Sequence, residues 1–207
     1  MLLPERFISR SEIDRRTSTV LIAARQAGLW VGTLPVPVEL VAESHLGLHV
    51  LWEAFAERTV DGPRLLGALF ARYRTIWLNE SERPLFEATP GLEPYTIAHE
   101  IGHFCLHVDP AFEFQSTLQL QTETADVLCR DGDTGWREVQ AEMFGASLLM
   151  PEDLVRRYAA GLVTREWPNV YRLKAEFGVS VTAMKNRLRG LGFETPADSG
   201  SVIRLQI

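Results

Sequence analysis

Five residues, His99-Glu100-Ile101-Gly102-His103, constrain this chain more than any other stretch of it. On a helix the two histidines lie one turn apart, about 6 Å along the axis and on one face. That places both imidazoles within reach of a single zinc ion. Glu100 then stands where a carboxylate can take a proton from a water held by that ion. A catalytic zinc site uses three protein ligands and keeps a fourth position open, so a third side chain has to come from elsewhere. His107 continues the spacing, but a straight helix carries it about 12 Å from His99. No glycine between His103 and His107 turns the chain back. His107 is therefore read as a support at the helix end, outside the ligand set.

The best source of the third ligand is a second helix, predicted over 136–149. Its residues Glu138, Ala141, Glu142 and Gly145 follow i, i+3, i+4, i+7 spacing and share one face. The two small residues on this stripe let its backbone come close to a neighbouring helix. Two carboxylates on the same stripe are costly to bury without a cation or hydrogen bonds. Glu138 is the chosen ligand, with Glu142 accepting a hydrogen bond from a ligating imidazole, and the two roles can be exchanged. The alternative is a solvated acidic face.

The remaining elements follow from periodicity and punctuation. Helices are predicted over 11–27 and 37–45, strands over 48–55, 64–70 and 74–79, and a Pro- and Gly-bearing loop over 81–91. The metal-site helix spans 94–107. A polar excursion over 111–134, with room for a short strand, precedes the second long helix. Helices over 151–160, 168–177 and 181–191 come next, then a linker over 194–201 and a last strand over 202–206. Strands early and helices late indicate α+β. The organisation expected is a metallopeptidase-like domain over 11–160, a helical segment over 161–193 and a tail over 194–207.

At 207 residues and 46% hydrophobic, the chain can build an adequate core without staples. Cys105 and Cys129 make no disulfide framework and suit a reducing compartment. Cys105 is expected to face the core as a small apolar group. With no leader pattern at the start and no apolar run long enough to span a bilayer, a cytoplasmic protein is expected.

The net charge of −6 argues against a surface that is one nucleic-acid footprint, but the charge is uneven. Six basic residues oppose two acidic ones between Gly161 and Gly190, leaving that segment at +4. Two short helices there, joined through Gly178 and Ser180, fit a helix-turn-helix with Leu173, Phe177, Val179, Met184 and Leu188 as its core. Lys185, Arg187 and Arg189 could then meet phosphates and Asn186 a base. The preferred reading is that the basic helix packs against the rest of the protein or a partner.

Several segments together carry a resemblance. They are Thr96-Ile-Ala-His-Glu-Ile-Gly-His-Phe-Cys-Leu-His107, Glu138-x-x-Ala-x-x-Phe144 and Leu148-Leu-Met-Pro151. Leu34-Pro-Val-Pro-Val38, Leu46-Gly-Leu48, Ile76-Trp-Leu-Asn79 and the run from Phe177 to Gly192 complete the pattern. From roughly Thr17 to Phe193 the chain resembles the ImmA/IrrE family of bacterial metallopeptidases. The resemblance implies a zincin-like fold, with a small sheet packed on the metal-site helix. It implies zinc on His99, His103 and Glu138, with Glu100 as general base. It also implies action on helix-turn-helix repressors in stress or mobile-element responses. One departure is Glu142, at a position commonly asparagine in the family.

Two functional classes follow. The first is a zinc endopeptidase that cleaves or inactivates a partner regulator. The second is a zinc-stabilised regulatory protein that binds DNA or a repressor without cutting it. For the first, the strand over 75–79 is expected to offer its backbone edge to an extended peptide. Tyr95 and Tyr158 are weak candidates for oxyanion stabilisation, each being more simply explained by packing.

Overall fold

Ser9 opens the first helix by accepting a hydrogen bond from the Glu12 backbone N–H at 3.3 Å. Helix α1 (Arg10–Gln26) then buries Ile13, Thr17, Leu21 and Ala24, the inward stripe of an amphipathic helix. The computed structural model describes residues 2–4, 6–54, 64–109, 111, 127–130 and 135–197. A short helix α2 (Val38–Leu40) widens into a π-helical turn (Val41–Leu46), which ends at Gly47 with φ of 66°. Left-handed backbone of this kind costs glycine little, which explains the stop before the first strand.

Four strands form one sheet: β1 (His49–Glu53), β2 (Leu65–Phe70), β3 (Thr75–Asn79) and β4 (Val127–Arg130). Their spatial order is β1-β3-β2-β4. β1 runs parallel to β3, with His49 opposite Thr75. β2 is antiparallel to both of its neighbours. This order corrects one expectation: β3 is paired along both sides, so it offers no free edge to a peptide. Among the described residues the sheet's outer strands are β1 and β4. Cys129, within the excursion expected over 111–134, lies in β4 opposite Gly67. Every residue of β2 is buried, as its unbroken apolar run requires of a strand covered on both faces.

The predicted loop over 81–91 is largely helical. Asn79 Oδ1 accepts from the Ser81 N–H at 3.0 Å, turning the chain out of β3, and Pro84 sits in the first turn of α3 (Arg83–Ala88). Proline there marks a helix start as readily as a loop, because the first-turn N–H groups have no intrahelical acceptor. Gly91, with φ of 94°, leads into α4 (Leu92–His107). Then come α5 (Trp136–Leu149), α6 (Glu152–Ala159), α7 (Trp167–Phe177) and α8 (Val181–Gly190). Most of the expected excursion over 111–134 and the expected strand over 202–206 lie outside the described residues. Among the described residues, no helix is long and apolar enough to cross a membrane.

One continuous core joins these parts, with Ile13, Leu69, Ile76, Ile97, Ile101, Phe144 and Leu148 at its centre. Leu173, Phe177, Val179, Met184 and Leu188, expected to form a small core between α7 and α8, belong to the same cluster. A Cβ added to Gly91 would lie 2.5 Å from the Gly178 carbonyl oxygen, so the turn between α7 and α8 rests on the start of α4.

Candidate metal centre

Small residues let α4 and α5 approach until their backbones touch. A Cβ on Gly102 would sit 2.9 Å from the Ala141 carbonyl oxygen and 3.1 Å from Phe144 Cβ. One on Gly145 would sit 3.2 Å from the His99 nitrogen. Ala141 and Gly145 are the small positions of the stripe that also carries Glu138. The seam therefore brings that carboxylate to the imidazoles of α4.

Three side chains converge there. His99 Nε2 and His103 Nε2 are 2.9 Å apart. Glu138 Oε2 lies 3.1 Å from the first and Oε1 3.3 Å from the second. Both histidines are buried, and Glu138 is nearly so. Bare nitrogen lone pairs and a carboxylate at this spacing repel one another. A divalent cation removes the repulsion, and bonds of ~2.0–2.1 Å to such donors set neighbouring ligands about 3.3 Å apart in a tetrahedron. The donor set fits a cation of this kind. Burial acts to raise the Glu138 pKa, but the imidazoles of His103 and His99 beside it overcome this and hold it down at about 2. Burial likewise pushes the His103 pKa down, keeping the ring neutral as a ligand must be.

Glu100 is fully buried between α4 and the sheet. The space it uses depends on Gly67 of β2, where a Cβ would lie 3.4 Å from Glu100 Oε1 and 2.7 Å from Thr96 Cγ2. An isolated glycine in an apolar strand is the one sequence signal of such a close approach.

His107 lies beside the ligands, outside their set. Its Nδ1 is 3.2 Å from His103 Nδ1, and its Nε2 is 3.0 Å from Gln140 Oε1. Burial lowers its pKa to about 4. Gln140, two residues past Glu138, is off the stripe that singled out α5, and no spacing rule would have found it. Glu142 departs from expectation. It was to accept from a ligating imidazole N–H, yet His99 Nδ1 is buried with no hydrogen-bond partner among the described residues and His103 Nδ1 faces His107. Glu142 instead lies exposed at the rim, where partial burial of its carboxyl raises its pKa. The Tyr95 ring is 6.2 Å from that of His99, whereas Tyr158 packs at 5.7 Å on Phe177. Cys105 packs against the core, and burial pushes its thiol up to about 12.

The basic residues of α8 do not form an open surface. Lys185 is 5% exposed, its Nζ 5.1 Å from the centre of the Trp167 ring. Arg187 is 7% exposed. It donates through Nε to the Met150 carbonyl at 2.9 Å and through a terminal nitrogen to Asp14 Oδ1 at 3.0 Å. The Ser147 hydroxyl donates to the same Asp14 oxygen. Both cations lie on the inner face of α8, so neither can reach a phosphate. Asn186 and Arg189 are exposed, and Arg189 Nε donates to Thr195 Oγ1 at 2.9 Å.

No curated protein compared with the chain matches it. A family model does: residues 43–189 match the IrrE N-terminal-like domain of peptidase family M78. The match runs from the turn before β1 through most of α8, so it takes in both helices of the metal centre and the docked helix pair. Matched in this way over more than half of its length, the chain belongs to the ImmA/IrrE family of M78 peptidases.

Proposed function

We propose that this protein is a zinc-dependent endopeptidase of narrow specificity that cleaves or inactivates a partner regulator. The regulator class is a helix-turn-helix repressor in a stress or mobile-element response, and the setting is the cytoplasm. The observation that carries the peptidase reading is the convergence of His99, His103 and Glu138 within 4.8 Å of one another, one helical step from a buried glutamate. Zinc bound there would supply a Lewis acid and lower the pKa of a water towards ~7.

The chain's own residues account for the rest. Glu100 accepts the water's proton and returns it to the leaving amine. An extended substrate segment pairs with the outer side of β4, which among the described residues pairs only with β2. The family membership supports hydrolysis as the chemistry, and the resemblance of the chain supports the repressor class.

Purified Glu100→Gln protein tests this reading against a repressor encoded beside the gene. The variant is expected to bind zinc as the wild type does and to lose cleavage. If it inactivates the partner as well as the wild type does, hydrolysis is not how the protein acts.

A further inference from the structure

Gln140 and His107 have no part in the chemistry above, yet both are buried against a ligand. We propose that they are positioning residues, a relay from the backbone that places the proton on His103 Nδ1 and leaves its Nε2 bare for the cation. The proposal rests on the metal-centre part of the reading above and is independent of whether the protein cuts peptides.

The direction of each hydrogen bond follows from its far end. The Arg6 carbonyl can only accept, and Gln140 Nε2 donates to it at 2.8 Å. That bond sets the amide's orientation, so Gln140 presents Oε1, an acceptor, to His107 Nε2 at 3.0 Å. His107 therefore carries its proton on Nε2. A neutral imidazole has one N–H, so its Nδ1 is an acceptor. This Nδ1 faces His103 Nδ1 at 3.2 Å, where two bare nitrogens would repel. The proton between them belongs to His103. His103 Nε2 is then a lone pair, directed at His99 Nε2 and Glu138.

A ligating imidazole commonly gives its other N–H to a backbone carbonyl or a carboxylate, which settles tautomer and ring orientation together. Here the backbone carbonyl is reached through two intervening side chains. The first of the relay's atoms belongs to the N-terminal segment, which is held by the Leu3 N–H donating to the His107 carbonyl at 2.6 Å. His99 has no counterpart, because its Nδ1 lacks a partner among the described residues. His103 is thus the ligand presented in its binding tautomer.

Long-range 1H–15N NMR of metal-free protein reads histidine tautomers directly and needs no activity. Wild type is expected to show His103 protonated on Nδ1 and His107 on Nε2. Gln140→Leu removes the acceptor, and is expected to shift His103 towards the Nε2–H form and to weaken zinc binding, by chelator competition, about 10- to 100-fold. Gln140→Glu keeps an acceptor for His107 but gives up the donor to the Arg6 carbonyl, so it is expected to recover both in part. A mere packing role would not produce that rescue. Wild-type His103 protonated on Nε2, or a folded Gln140→Leu with unchanged tautomers and zinc affinity, overturns the relay. If Gln140→Leu does not fold, the wild-type spectrum and the glutamate variant decide. Failure of the wild type to bind zinc sinks the metal-centre reading instead, and the tautomers still judge the relay.

Discussion

Replacing Gly102 by alanine puts the helix seam and the metal centre in direct competition with helix propensity. Gly102 lies mid-helix, where alanine would gain about 1 kcal/mol. Against that, its Cβ would meet the Ala141 carbonyl oxygen at 2.9 Å, Ala141 Cα at 3.0 Å and Phe144 Cβ at 3.1 Å. Carbon contacts settle near ~3.5–4.0 Å, so α5 has to retreat by about 0.5–1 Å. The neighbours are backbone and a Cβ, which cannot swing aside, and overpacking of this kind costs about 1–3 kcal/mol. The expected net effect is a loss of about 1 kcal/mol.

The site should suffer more than the fold. Glu138 rides on α5, while His99 and His103 ride on α4. The retreat exceeds the ~0.2 Å to which metal–ligand distances are held. Zinc affinity is expected to fall about tenfold, equivalent to ~1.4 kcal/mol. Thermal denaturation with and without zinc measures both, because a ligand that binds only the folded state raises the melting temperature with its affinity. Gly190→Ala is the control. There the added Cβ meets the end of the Arg10 side chain, which can move away, so stability should hold or rise slightly. A Gly102→Ala protein at least as stable as wild type, with the full zinc-induced shift, would refute the reasoning.

Arg187→Ala takes the cation from the part-buried Asp14 carboxylate, which keeps the Ser147 hydroxyl, and should cost about 1.5–3 kcal/mol in chemical denaturation. The exposed Arg189→Ala should cost less than about 0.5 kcal/mol, and equal losses would contradict the burial of α8's inner face. Cys105 gives a pH-dependent readout. Its thiol, pushed from 9.0 to about 12 by burial, keeps its proton in the folded protein while the unfolded chain gives it up. Stability is therefore complete below pH 9 and declines as the pH rises from there towards about 12. In a Cys129→Ser background, iodoacetamide labelling at pH 8 should be ~10³-fold slower than in denaturant. Fast native labelling would show that the thiol is not buried.

Much of the centre was legible along the chain because it is helical. A period of 3.6 residues is a local property, so His99 and His103 could be placed on one face, and Glu138, Ala141 and Gly145 on another, before any contact was known. The small-residue stripe even anticipated how closely α5 would approach. The sheet was less legible. The spans of β1, β2 and β3 came out within a residue or two, but β1-β3-β2-β4 order is a long-range property, and it moved the free edge from β3 to the outer strands. Proline and glycine over 81–91 signalled interruption correctly and concealed α3, since Pro84 serves a helix start as well as a turn.

Charge misled most. Lys185 and Arg187 look like solvent-facing cations in a +4 segment, because the partners that bury them lie far away in the chain: Trp167, the Met150 carbonyl and, 173 residues distant, Asp14. For the same reason Gln140 and Gly67 carried no visible role until the N-terminal segment and β2 were placed against the centre. What the sequence alone determined was the donor chemistry and its helical phase, both set by neighbouring residues. Which donors meet, which cations are buried and where a proton rests on His103 depend on atoms brought together across the fold, and only the tertiary structure decides them.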